Sequence, residues 1–262
     1  MKGIILAAGQ GVRLRPLTNT IPKCMVNLFG KPIIEWQINT FYNCGIRDIS
    51  VVTGYKSEKI ISPNVSFFHN KSYKTTNMLE SLFCVREKLT GPIVVSYGDI
   101  VFEDKILKKI LESKEDISVI VDKNWKRYWK LRFSNILDDA ESMIIDDEGF
   151  IQNLGQKVHN IEKICGQYIG LMKFSSKGVN TMLELYDKAK LQSNSNQNIL
   201  NAKIPFEKSY MTDFLQYLIN NGQKIKAVEI KNGWLELDSI NDYNLYHKMY
   251  EEGKIMNFYK VN

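Results

Sequence analysis

Two glycines, an arginine and a lysine fall close together early in the chain, in Leu6-Ala7-Ala8-Gly9-Gln10-Gly11-Val12-Arg13-Leu14-Arg15-Pro16-Leu17-Thr18 with Pro22-Lys23 behind it. An apolar run that ends in closely spaced glycines lets backbone N–H groups approach an anion, because no Cβ stands in the way. Arg13 and Lys23 add the fixed positive charge that a triphosphate requires. Other phosphate loops fit worse. The dinucleotide fingerprint needs a third glycine where Leu14 stands, and Gly30-Lys31 is followed by Pro32, which is not a Walker sequence. A tight surface turn with two solvated bases explains the glycines taken alone. The full run, in its strand context, favours a phosphate cradle.

Such a loop needs a rigid frame, and the first half of the chain supplies one. Residues 3–8 read as a buried strand and 9–22 as a loop, followed by a helix over 32–44 with Ile33, Ile34, Ile38, Phe41 and Tyr42 at helical spacing. Strands over 48–53 and 65–69, a helix over 77–89, a strand over 92–97, a helix over 104–112 and a strand over 116–121 continue the alternation. This pattern predicts an α/β, Rossmann-like fold with a mainly parallel sheet and helices on both faces. Ligands of such sheets bind beyond the carboxyl ends of the strands, where Gly9, Gly11, Gly98 and Asp99 all fall. Residues 123–168 break the rhythm and read as a small antiparallel lid insertion within a single domain over 1–262, with short strands at 142–145 and 150–154 around a turn at 146–149. Beyond it come a strand at 166–174, a helix at 177–190, an exposed polar loop at 192–201, a helix at 212–221, a strand at 224–230 and a helix at 239–252 capped by Ser239.

Bulk composition narrows the class. With 35 basic and 29 acidic residues the chain carries a formal charge of +6, a mild excess that suits a polyanion pocket. No dense basic stripe or recognisable motif argues for nucleic acid, and no apolar run is long enough to cross a membrane. Cys24, Cys44, Cys84 and Cys165 are too scattered for a zinc ribbon or a disulfide framework. Reduced thiols in a cytoplasm are the expectation. His69, His159 and His247 show no metal-like spacing, and no nucleophile–base pair stands out.

The run 6–18 with Pro22-Lys23 resembles the signature of the nucleotidyltransferases that make nucleotide sugars and CDP-activated alcohols. Residues 26–54, with Lys31-Pro32 opening a helix and a strand ending at Gly54, follow the same course. The resemblance implies transfer of a nucleoside monophosphate with release of pyrophosphate. It assigns Leu6, Ala8, Gly9, Gly11 and Gly98 to nucleotide binding, and Arg13 and Lys23 to the phosphates and the transition state. It also assigns Asp99, in Tyr97-Gly98-Asp99, and Asp238, in Trp234-Leu235-Glu236-Leu237-Asp238-Ser239, to Mg²⁺. Thr75-Thr76-Asn77-Met78-Leu79-Glu80-Ser81-Leu82 is similar to the stretch that opens a helix beside the base in the cytidylyltransferase branch. Asn77 and Ser81 are its candidates, with helix capping as the competing role.

The middle segment resembles enzymes that use CTP to activate phosphocholine, aminoethylphosphonate or phosphorylated amino-acid derivatives for surface polysaccharide decoration. Trp125, Tyr128, Trp129 and Tyr168 read as an aromatic wall for an ammonium group, or as core packing. Asp138, Asp139 and Glu141 are candidates for an amine, Arg132 for a carboxylate, and Lys157 for the acceptor's phosphate. A homodimer is compatible with all of this. A sugar-1-phosphate nucleotidyltransferase using dTTP or UTP is the near alternative, and a non-catalytic nucleotide-binding regulatory subunit the distant one. The presence together of Arg13, Lys23, Asp99 and Asp238 favours an enzyme.

Overall fold

A computed structural model describes residues 1–195 and 197–261. The main sheet has seven strands: β1 (Lys2–Ala7), β2 (Asp48–Thr53), β3 (Ser66–His69), β4 (Ile93–Tyr97), β5 (Ile117–Asp122), β6 (Gln167–Phe174) and β7 (Ile225–Ile230). Their order is β7-β5-β6-β4-β1-β2-β3. Every neighbouring pair is parallel except those made by β6, which runs antiparallel to both β4 and β5. The expected mainly parallel sheet is therefore present, with one reversed strand, the third of the seven.

Successive side chains of a strand point to opposite faces, so a strand buried at every position is covered on both. β5 is buried throughout, and β1 at all but its first residue. The cover comes from helices α1 (Ile33–Asn43), α2 (Met78–Phe83), α3 (Asp104–Leu111), α4 (Trp125–Arg132), α5 (Ser176–Ser195), α6 (Met211–Asn220) and α7 (Ile240–Glu251). α1 touches α3, and its Phe41 packs edge-on to Phe102, in the segment just before α3, at 6.2 Å, while α6 touches both α2 and α5. Among the described residues no helix is long and apolar enough to cross a membrane.

Several expectations shift in detail. The helix expected over 77–89 stops at Phe83, and the chain tightens into a 3-10 turn over Arg86–Lys88, while Leu82, Val85 and Leu89 around it remain buried. Part of the irregular segment is helical, since α4 spans Trp125–Arg132. Behind it the expected hairpin forms, Glu141–Ile145 against Ile151–Lys157, its turn held by Asp146 Oδ1 accepting from the Glu148 and Phe150 N–H groups. The polar loop expected from 192 begins later because α5 continues to Ser195; residue 196 lies outside the described residues. A short pair not foreseen, Ile100–Phe102 against Trp234–Glu236, is antiparallel. It joins the segment after β4 to the segment after β7, and the site is built on that join.

Candidate active site

The carboxyl ends of β1, β4 and β7 release three segments at one edge of the sheet. After β1 the chain makes a left-handed turn at Gly11 (φ 63°), where a Cβ would lie 2.9 Å from Lys23 Cβ. Thr18 Oγ1 donates to Gly11 O at 2.7 Å and holds the loop closed. Gly98 follows β4 and lies so near β1 that a Cβ would stand 2.6 Å from Leu6 O. At Gly9, by contrast, a Cβ would meet nothing within 4 Å. The backbone there faces open space, as an anion cradle requires.

Lys23 reaches from this loop to the other two segments. Its Nζ donates to Asp99 Oδ2 at 2.7 Å and to Asp238 Oδ1 at 2.6 Å. Burial alone would lower its pKa, but Asp99, Asp238 and Glu236 outweigh that and hold the ammonium well above its ordinary value. Burial pushes the Asp238 carboxyl up, yet Lys23, Arg13 and Arg132 together bring it below the usual carboxylate range. Arg13 also pairs with Asp238 from an exposed position. A backbone bond from Leu237 N to Asp99 O, 2.9 Å, ties the two acid-bearing turns together.

These residues line a cavity of about 340 Å³, within the usual range for small-ligand sites. Leu6, Ala8, Gly9, Gly11, Arg13, Lys23, Asn77, Ser81, Gly98, Asp99 and Asp238, all singled out from sequence, share its wall. Asn77 and Ser81 are engaged within the protein as well. Asn77 Oδ1 caps α2 by accepting from Met78 N at 2.8 Å, and Ser81 Oγ accepts from Asn70 Nδ2 at 3.0 Å. The capping role weighed for Asn77 is thus realised, leaving its amide NH₂, 3.4 Å from Lys208 O, as the looser group.

The site also suits a divalent cation. Asp99 Oδ1 is buried without a hydrogen-bond partner, an oxygen kept for something the chain does not supply. Two carboxylates beside a phosphate cradle match Mg²⁺, which completes its shell with phosphate oxygens and water.

A second cavity, about 170 Å³, adjoins the first and shares Met78, Tyr97 and Glu236 with it. Trp129, Glu141 and Tyr168, all singled out from sequence, line it with Asp139, Gln167, Tyr210, Thr212 and Trp234. Tyr97 and Tyr168 meet edge to face at 5.7 Å. Trp129 Nε1 is buried without a hydrogen-bond partner, its approach to Asp139 falling short of one. The Glu141 carboxyl is pushed up, by desolvation first and then by Asp139 and Asp213, and solvent moderates the push because the residue is exposed.

The other candidates on this side lie away from the cavity, and for Trp125 and Tyr128 the core-packing alternative is the one realised. Arg132 does not line the cavity; its guanidinium is buried against Asp242 and Glu236. Lys157 is exposed at the end of the hairpin and lines neither cavity. Trp125 and Tyr128 are each 1% exposed and belong to the core. Asp138 is exposed and bonded to Asn135. Sequence reasoning passed over Glu236, which faces both cavities and whose carboxyl is raised to about 7, by burial first, opposed by Arg132 and reinforced by Asp99, Asp238 and Asp139. Its signal was present: two residues before Asp238 in an extended segment, it points the same way.

A phosphate cradle at the edge of this sheet, joined to two acids and a buried lysine, describes a nucleotide-transferring enzyme. Residues 3–169 match the MobA-like NTP transferase domain, and the chain belongs to that family. Over 253 residues it is 38% identical to the CTP:phosphoglutamine cytidylyltransferase of Campylobacter jejuni, covering 92% of this chain and 97% of that one. It is 36% identical to the choline-phosphate cytidylyltransferase of Streptococcus pneumoniae over 117 residues, 43% of this chain and 51% of that one. The structure of a CTP:phosphocholine cytidylyltransferase from Streptococcus pneumoniae superposes with a TM-score of 0.73 at 22% identity, covering 95% of this chain and 98% of that one. This last likeness is one of fold.

Proposed function

We propose that this chain transfers CMP from CTP to a small phosphorylated or phosphonylated acceptor and releases pyrophosphate. The observation that carries this is Lys23 held between Asp99 and Asp238 beneath the Gly9–Gly11 turn, in a cavity that opens into a second, acidic and aromatic one. The full-length similarity to a CTP:phosphoglutamine cytidylyltransferase supports the choice of nucleotide and acceptor type.

The backbone amides of the turn, with Arg13 and Lys23, receive the triphosphate. An oxygen of the acceptor's phosphate attacks the α-phosphorus in line; the bond to the β-phosphate bridging oxygen breaks, and pyrophosphate leaves with its electron pair. The attacking oxygen is already ionised, so no side chain need take a proton. Lys23 and Arg13 hold the charge that builds on the leaving diphosphate. Mg²⁺ held by Asp99 and Asp238 would supply further neutralisation of the phosphate oxygens. The acceptor's phosphate faces these cations. Its other end enters the smaller cavity, where Asp139 and Glu141 meet an amine and Trp129 and Tyr168 offer ring surface. Four unpaired thiols support work in a reducing cytoplasm.

Pyrophosphate release, measured for CTP, UTP, dTTP, ATP and GTP against phosphoglutamine, phosphocholine, aminoethylphosphonate and glucose 1-phosphate, tests the proposal. Turnover confined to CTP with an amine-bearing acceptor is expected. Turnover of glucose 1-phosphate with UTP or dTTP, or no turnover anywhere, overturns it.

A further inference from the structure

Arg132 stands at the end of α4 with its side chain 1% exposed. Burying a guanidinium is costly, and such a pair often adds no more stability than apolar packing of the same volume. Three of its five donors are aimed at the two residues that flank one turn, Glu236 and Asp242. Nε donates to Asp242 Oδ1 at 2.8 Å, one terminal nitrogen to Asp242 Oδ2 at 3.1 Å, and the other to Glu236 Oε2 at 2.6 Å. Asp242 Oδ2 in turn accepts from the Asp238 N–H at 3.1 Å, the Ser239 N–H at 2.9 Å and the Ser239 hydroxyl at 3.0 Å. Arg132 thereby grips Asp238 from both sides, through the strand that leads into it and the cap that follows it.

We propose that Arg132 is a positioning residue for nucleotidyl transfer, holding the Asp238 turn in register with Asp99 and Lys23 through Asp242 and Glu236. The inference rests on the transfer reaction proposed above. Two features separate this role from helix capping. The cap of α7 is complete with Ser239 and Asp242 alone, each accepting from the other's backbone. And α4 also carries Trp129, three residues earlier, into the wall of the smaller cavity. Arg132 therefore makes the acceptor wall and the Asp238 turn one rigid piece. Its planar fork is what the arrangement needs, since an ammonium cannot bond Asp242 bidentately and reach Glu236 at once.

Arg132→Lys keeps the charge and loses the fork. Its kcat should fall at least tenfold, with the KM for CTP within twofold of wild type and the Mg²⁺ concentration for half-maximal rate raised at least fivefold. The affinity of Mn²⁺ for the enzyme with a non-hydrolysable CTP analogue, read by electron paramagnetic resonance, should weaken by a similar factor. Trp125→Phe, in the same helix and core but with no part in the bonds to Asp242, supplies a variant of lowered Tm whose metal dependence should match wild type. Metal curves for Arg132→Lys that overlay wild type, or a shift that Trp125→Phe reproduces, overturn the positioning role. Asp238→Asn separates the two levels. If it is inactive while Arg132→Lys is normal, the tie alone falls; if it turns over like wild type, the site assignment falls and the tie with it.

Discussion

Replacing Lys23 with methionine keeps a side chain of similar length and removes the ammonium that Asp99 and Asp238 share at 2.7 and 2.6 Å. Breaking a buried pair by deleting one partner costs about 3–5 kcal/mol, because charge is left unpaired. The lower end applies here, since the two acids are 14% and 15% exposed and Arg13 stays on Asp238. About 3 kcal/mol lowers Tm by roughly 6–12 °C in a chain of this size. The Lys23 pKa is raised, so its stabilisation is complete below the unfolded lysine value of about 10.4 and is lost only as pH climbs through the folded value. Scanning calorimetry near neutral pH therefore sees the whole effect. Without the lysine, Asp99 has no cation, and millimolar MgCl₂ alone should restore several degrees to the variant while moving wild type little. Turnover should fall on the order of 10²- to 10³-fold, as for other lost transition-state contacts. A variant with wild-type Tm, no response to Mg²⁺ and unchanged kcat would refute the counter-ion role.

Gly9 and Gly98 give a contrasted pair. Gly98→Ala puts a Cβ 2.6 Å from Leu6 O and should lower Tm, whereas Gly9→Ala meets nothing within 4 Å and should leave Tm unchanged while raising the KM for CTP; a Gly9→Ala enzyme with a normal KM would move the triphosphate elsewhere. Glu141, its carboxyl raised above the ordinary range, binds an amine only once ionised, so acceptor KM should fall as pH rises toward neutrality and Glu141→Gln should abolish that slope beyond the acceptor's own titration. The same upward shift means that ionising Glu141 disfavours the folded state as pH rises from the unfolded through the folded value, so Glu141→Gln should gain relative stability above that range. Asp99→Asn should abolish metal-dependent turnover, and residual full activity with Mg²⁺ would remove Asp99 from the site.

Strands were legible where both faces are buried, because burial writes itself as continuous apolar residues, as at Ile4, Ile5 and Leu6 or Val94 and Val95. The loop after β1 was legible because the full run, two glycines with Arg13 and Lys23 directly after a buried strand, favours a phosphate cradle over a surface turn. α4 escaped notice although Trp125, Tyr128, Trp129 and Arg132 recur at helical spacing, since its last inward position is a charged residue. Arg132 therefore read as a surface ligand for a carboxylate; its partners lie 104 and 110 residues onward, and only the fold brings them together. Lys23 meets Asp99 and Asp238 across 76 and 215 residues in the same way. Lys157 lies outside both cavities, and strand position alone does not say which way the hairpin's end points.

A crystal structure with CTP and Mg²⁺ tests the central claim most directly. The triphosphate should lie against the backbone amides between Gly9 and Gly11, with Lys23 drawn onto its phosphates and the cation seated between Asp99 and Asp238. A nucleotide bound away from that turn, or one touching neither aspartate's cation, would contradict it.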